Sequence, residues 1–257
     1  MNAYLPMIFW TILGLCIGSF LNVCIHRIPL GKSIVRPGSM CPGCGTNVAF
    51  YDNIPVISFL LLTGRCRHCH QAISSRYPLV ETLTGALALS VFLRYGWSVE
   101  TPIYLAFLCM LITVTFIDLD HRIIPDVISL PGIIAGFAAA GPLSAITLTD
   151  ASLGILLGGG SLYAVAAIYR ALRKAEGMGG GDIKLLAMIG AFLGWKGVAF
   201  TLFAASFIGS AAGLFSIWRS GGGMRYALPF GPFLSAGATI YLFFGPPLID
   251  WYGSFLM

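Results

Sequence analysis

The 257-residue chain is 57% hydrophobic and only 10% charged, with a mean hydropathy of +0.86. A water-soluble domain carries about 25% charged residues, so the composition excludes one and predicts an all-α polytopic membrane protein, because helices satisfy their own backbone groups in lipid. The formal charge of +5 is small, and is read as loop asymmetry rather than as a nucleic-acid patch.

The length accommodates roughly eight spans of about 20 residues with short loops. Eight apolar runs supply them, at residues 5–24, 79–92, 103–117, 127–140, 153–169, 183–195, 198–217 and 228–244. The first has no Lys or Arg before Arg27 and no small-residue cleavage site after it, so it reads as a retained span and not a signal peptide. With eight spans, thirteen of the fifteen Lys and Arg fall on one side, and only Arg94 and Lys196 on the other. The positive-inside rule then puts both termini outside and the long polar stretch after the first span in the cytoplasm. Three regions follow: a first transmembrane helix at 1–25, a cytoplasmic lobe at 26–78, and a seven-helix membrane domain at 79–257. Inside the lobe, the apolar patch 53–62 is too short to span and is expected to be packed core or interfacial. No internal repeat is visible.

The lobe holds Cys41-Pro-Gly-Cys44 and, after 21 residues, Cys66-Arg-His-Cys69. Each C-x2-C turn aims two sulfurs at one centre, and two such turns supply four thiolates for a tetrahedral structural Zn2+ site. The cytoplasm is reducing, which disfavours disulfides. Four thiolates leave no open position for a water, so the metal is structural, and no His-Glu-x-x-His motif occurs; His68 and His70 flank Cys69 and are expected to be exposed, with substitute ligation as the alternative. Cys16, Cys24 and Cys109 lie in apolar runs as small hydrophobes.

Two groups of carboxylates meet the cytoplasmic membrane edge. Phe116-Ile117-Asp118-Leu119-Asp120-His121-Arg122-Ile123-Ile124-Pro125-Asp126 closes the third run, with Asp126 expected as a cap or turn residue at the start of the fourth. Gly177-Met178-Gly179-Gly180-Gly181-Asp182 opens the sixth. Glycine runs let another chain come close, and an acid at the mouth of a membrane-length run is costly enough to need a reason, although Asp182 also suits a helix N-cap. Two aspartates at one depth on different helices can share a proton and so act as acid and base toward water. No Gly-x-Ser-x-Gly nucleophile competes. Membrane acids and glycine breaks also suit a transporter or channel with a zinc-stabilised lobe.

Together, Asp118 with the following Asp-x-Arg-Ile-Ile-Pro-Asp, Gly179-Gly180-Gly181-Asp182, and the four-cysteine lobe resemble the aspartyl Gly-x-Gly-Asp membrane proteases, and among them the bacterial type IV prepilin peptidases. Phe20 to Pro29, Asn53 to Ser58 and Arg76 to Glu81 resemble the family's N-terminal pattern. The resemblance implies a bifunctional enzyme of the bacterial inner membrane. It cleaves the basic leader of prepilins and pseudopilins after a glycine, on the cytoplasmic side, and N-methylates the new terminus from S-adenosylmethionine. Carried onto this chain, it makes Asp118 and Asp182 the catalytic pair, with Asp120 as the fallback for Asp118, and Cys41, Cys44, Cys66 and Cys69 the zinc ligands. Gly64-Arg65 falls where methyl transfer is sensitive in the family; no Gly-rich nucleotide loop marks a donor site. The leader's cations are expected to meet acids such as Glu176 or Asp120.

Overall fold

The computed structural model describes residues 4–174, 179–220 and 229–253. Glu176, Gly177 and Met178 lie outside them. Among the described residues the chain is helical, with no β-strand: α1 Tyr4–Arg27, a 3-10 turn Phe50–Asn53, α2 Ile57–Leu61, α3 Arg76–Tyr95, α4 Glu100–His121, α5 Asp126–Ala139, α6 Leu148–Arg173, α7 Gly180–Ser220 and α8 Gly231–Gly253. Four of these, α1, α4, α6 and α7, are long and apolar enough to cross a membrane, and α5 is a shorter apolar helix. The sixth and seventh predicted runs form one element, α7, broken at Gly194, whose φ of 70° no other residue adopts comfortably. The chain divides into two compact units, Met1–Thr113 and Val114–Met257.

In the first unit α1 lies against α3. Their approach is set by small residues: a Cβ on Gly14 would meet Ala88 at 2.6 Å, and one on Gly18 would meet the Glu81 Cα at 2.7 Å. Near the other end of the pair, Trp10, Ala88, Phe92 and Leu105 form a buried cluster, in which Trp10 stacks on Phe92 with ring centroids 5.9 Å apart.

In the second unit α7 packs against α5, α6 and α8. Lipid offers no hydrophobic drive for helix association, so close backbone approach at small residues carries it. Gly154 and Gly158, four apart on α6, face the α7 backbone at Gly190 and Leu186 so closely that a side chain on either would overlap main-chain atoms. On α5, a Cβ on Gly136 would meet Phe192 at 2.7 Å. The α6 N-terminus is closed by a capping box: Thr147 Oγ1 accepts from the Asp150 N–H at 3.1 Å, and Asp150 Oδ2 accepts from the Thr147 N–H at 3.2 Å. Gly154→Val drives a branched side chain into the α7 backbone; the expected loss is about 3 kcal/mol, read as a lower thermal unfolding midpoint in detergent.

Candidate active site and metal centre

The two cysteine turns are built alike, hydrogen bond for hydrogen bond. In the first, Cys41 N–H donates to Thr46 O at 2.9 Å and Gly45 N–H to Cys41 O at 2.9 Å; in the second, Cys66 N–H donates to Gln71 O at 2.9 Å and His70 N–H to Cys66 O at 3.0 Å. Gly45 and His70 take the same left-handed conformation, with φ of 68° and 56°, and a single antiparallel bridge closes each turn, Met40 with Asn47 and Arg65 with Ala72. This is a structural repeat that residue identities conceal, because the left-handed position is Gly in one copy and His in the other.

The turns bring Cys41, Cys44, Cys66 and Cys69 together, all four sulfurs lying within 4.8 Å of one another. Cys41 Sγ and Cys69 Sγ are 3.7 Å apart. A tetrahedral site with metal–sulfur bonds of about 2.3 Å has sulfurs about 3.8 Å apart, so the donor set fits such an ion. The protonation chemistry fits it as well. Thr46, through its side chain and backbone, pulls the Cys44 thiol down to about 6. Although the Gln71 N–H opposes the shift, desolvation and the sulfurs of Cys41, Cys44 and Cys66 push the Cys69 thiol up to about 11. Four sulfurs this close cannot all ionise without a cation among them. His68 and His70 are exposed and fall outside the cluster. Gly64 has φ 68°, with the Phe59 ring 3.1 Å from where its Cβ would stand, which accounts for glycine there.

Asp118 lies in the last turn of α4 and is only 5% exposed. The helix ends through Arg122, which adopts φ 56° and donates its N–H to Asp118 O at 2.9 Å. Asp118 Oδ2 accepts the Gly231 N–H from the start of α8 at 3.0 Å. Asp182, half-buried, stands in the first turn of α7, where the helix dipole favours a carboxylate. The Asp118 charge acts on the Asp182 carboxyl. Asp120 is exposed, two residues further along α4.

Ile124 ties these parts together. A Cβ on Gly181 would lie 2.7 Å from the Ile124 Cβ, and one on Gly231 would lie 3.3 Å from the Ile124 Cδ1 and 2.6 Å from Asp118 Oδ2. The loop after α4 thus touches the first turns of both α7 and α8, at the residues beside the two acids. Gly181 is glycine because Ile124 leaves no room, whereas a Cβ on Gly180 would meet open space. Asp126 is not a cap: both its oxygens lie 2.7 Å from Lys184 Nζ, an ion pair that joins α5 to α7 two residues beyond Asp182. Gly231 and Ile124 were not singled out from sequence. The signal for Gly231 was Pro229-Phe230-Gly231-Pro232, a turn-forming start to an apolar run.

Comparison with known proteins supplies the family. Residues 12–95 match the bacterial peptidase A24 N-terminal domain, and residues 105–214 the type IV leader peptidase family. A prepilin leader peptidase/N-methyltransferase of Myxococcus xanthus is 44% identical over 214 residues, which cover 83% of this chain and 64% of that protein. Proteins of the same name from Burkholderia pseudomallei (strain 1026b) and Pseudomonas putida are 36% and 37% identical, with 95% and 91% of this chain and 87% and 89% of theirs covered. No solved structure matches. A chain matched by both family descriptions, and similar over nine-tenths of its length to these relatives, belongs to the bacterial type IV leader peptidase family.

Proposed function

We propose that this chain is a multi-pass inner-membrane endopeptidase and N-methyltransferase, which removes the leader of type IV prepilins and pseudopilins and then methylates the new N-terminus. The peptidase reading rests on a buried Asp118 at the end of α4, bonded to the Gly231 N–H, and on Asp182 in the first turn of α7 beside Gly181, with Ile124 against both glycines, in a chain of this family. One carboxylate takes a proton from the attacking water while the other, protonated, polarises the scissile carbonyl and later protonates the leaving amine. No covalent intermediate is needed. The Gly231 N–H holds one Asp118 oxygen, and the other is the oxygen assigned to the water.

Both acids stand at helix ends. A prepilin joins an apolar membrane helix to a cationic leader, so its scissile bond lies where bilayer meets cytoplasm. The open space at Gly180 suits a substrate backbone lying beside Asp182. Eight spans, with Gly194 dividing the sixth from the seventh, put residues 26–78 and both acids on the cytoplasmic side and leave residues 79–257 as the protease domain. Cys41, Cys44, Cys66 and Cys69 would hold Zn2+, whose contribution is to fix the lobe rather than to activate water. S-adenosylmethionine is the methyl donor.

The purified chain in liposomes is expected to cut a prepilin and, with methyl-labelled S-adenosylmethionine, to label the product. Ion or solute flux without cleavage would point to a transporter instead. Gly231→Ala keeps the backbone N–H but presses a methyl group on Asp118 Oδ2. Misplacing a reacting group by about 1 Å costs on the order of 100-fold, so kcat is expected to fall by about that factor with KM and the unfolding midpoint little changed. Adding Ile124→Val relieves only the Ile124 contact and is not expected to restore kcat.

A further inference from the structure

Between the two cysteine turns the first unit carries a patch that water does not suit. Phe50 is 87% exposed, Leu61 79% and Leu60 67%, and Tyr51, Ile54 and Ile57 are each about half exposed. Exposed apolar side chains on this scale mark a contact surface.

The segment that presents them is held firmly. Ser58 Oγ donates to Tyr51 O at 2.9 Å and accepts the Ile54 N–H at 3.1 Å, which locks the 3-10 turn to α2. At the head of α2, Val56 has φ 62°, a conformation that strains a β-branched residue. Its N–H donates to Glu81 Oε2 at 2.7 Å, and that carboxylate is buried on α3. The direction in which Ile57, Leu60 and Leu61 face is therefore imposed by a strained residue and a buried acid.

The same bond sets the depth of the patch. Glu81 lies five residues inside α3, and its Cα is the nearest atom to where a Gly18 Cβ would stand on α1. Gly18 precedes the Arg27 end of α1 by nine residues, or roughly 13 Å of helix. α1 is apolar enough to cross a membrane, and at this level α1 and α3 expose Phe20, Leu79 and Leu83. The patch thus continues, at the same height, the apolar surface that these two helices turn to lipid.

We propose that the 3-10 turn and α2 lie in the membrane interface, with Phe50, Leu60 and Leu61 in the boundary between headgroups and acyl chains, so that the four-cysteine lobe rests on the bilayer surface. Lipid is the partner that matches a face with no charged side chain on α2 and a height fixed against a membrane helix. The Glu81–Val56 bond is the fastening that presses α2 onto that surface.

The full chain in nanodiscs of phosphatidylcholine and phosphatidylglycerol tests this. A fluorescent amino acid replaces Leu61, Phe50, Ile12 on the lipid-exposed side of α1, or Lys32 in the lobe, and quenching by brominated acyl chains is compared. Quenching at Leu61 and Phe50 close to that at Ile12, and several-fold above that at Lys32, is the expected result. Quenching at both positions no greater than at Lys32 overturns the proposal. Phe50, the more exposed site, carries the test if the Leu61 probe disturbs the fold. Because the readout is lipid contact and not cleavage, it is independent of the enzymatic reading.

Discussion

Asp118→Asn and Asp182→Asn are each expected to abolish leader cleavage while the protein still accumulates in the membrane. A general acid or base contributes about 10²–10⁴-fold, and each variant should fall by at least about 10³-fold in kcat. The two acids act as one unit, so the double variant is expected to be no slower than the slower single one. Asp120→Asn is the matched control. Asp120 is exposed, whereas Asp118 is buried and bonded to Gly231, so the control should retain most of its activity. A rate for Asp120→Asn as low as that for Asp118→Asn would move the pairing to the fallback residue.

The second large effect is metal loss. Among residues 28–75 only Ser58 is buried, so the lobe has almost no core of its own, and an ion held by the four cysteines would supply the fixed centre it otherwise lacks. Structural zinc contributes about 10–16 kcal/mol to small four-ligand domains. Cys66→Ser, or chelation of the wild-type chain, is expected to release about one Zn2+ per chain and to open the lobe. Elemental analysis reads the first effect. The second is read by trypsin cleavage after Arg65 and Arg67, since Arg67 is otherwise engaged by Asp52 at 2.6 Å. Full metal content in the Cys66→Ser variant would contradict the four-thiolate assignment.

What could be read from the sequence was what depends on composition and on short spacings. The helical class follows from hydropathy alone. The cysteine cluster follows from two C-x2-C spacings, because the turn geometry is local. The scarcity of acids narrows the candidates to ten, and it is the family resemblance that proposes Asp118 and Asp182 among them, with Asp120 as the fallback. What escaped depends on contacts between distant segments. Gly231 carries no side chain, and its role rests on a backbone N–H 113 residues away from Asp118. Ile124 is one apolar residue among many until the first turns of α7 and α8 close on it. The patch 53–62 was expected to be core or interfacial, and the exposure of Leu60 and Leu61 excludes a packed core. Asp126 sits where a cap is expected, yet Pro125 occupies the cap position and Lys184 takes the carboxylate. Gly154 and Gly158 were not singled out from sequence, and only the α7 backbone opposite shows why both must stay bare.

The paired action of Asp118 and Asp182 on a prepilin is tested most directly by the mass of the pilin N-terminus after co-expression with the wild-type chain or with Asp182→Asn. The wild-type chain should yield a pilin that has lost its leader and gained one methyl group. Asp182→Asn, present in the membrane at the same level, should leave the leader attached. A pilin processed normally by Asp182→Asn would contradict the two-aspartate account.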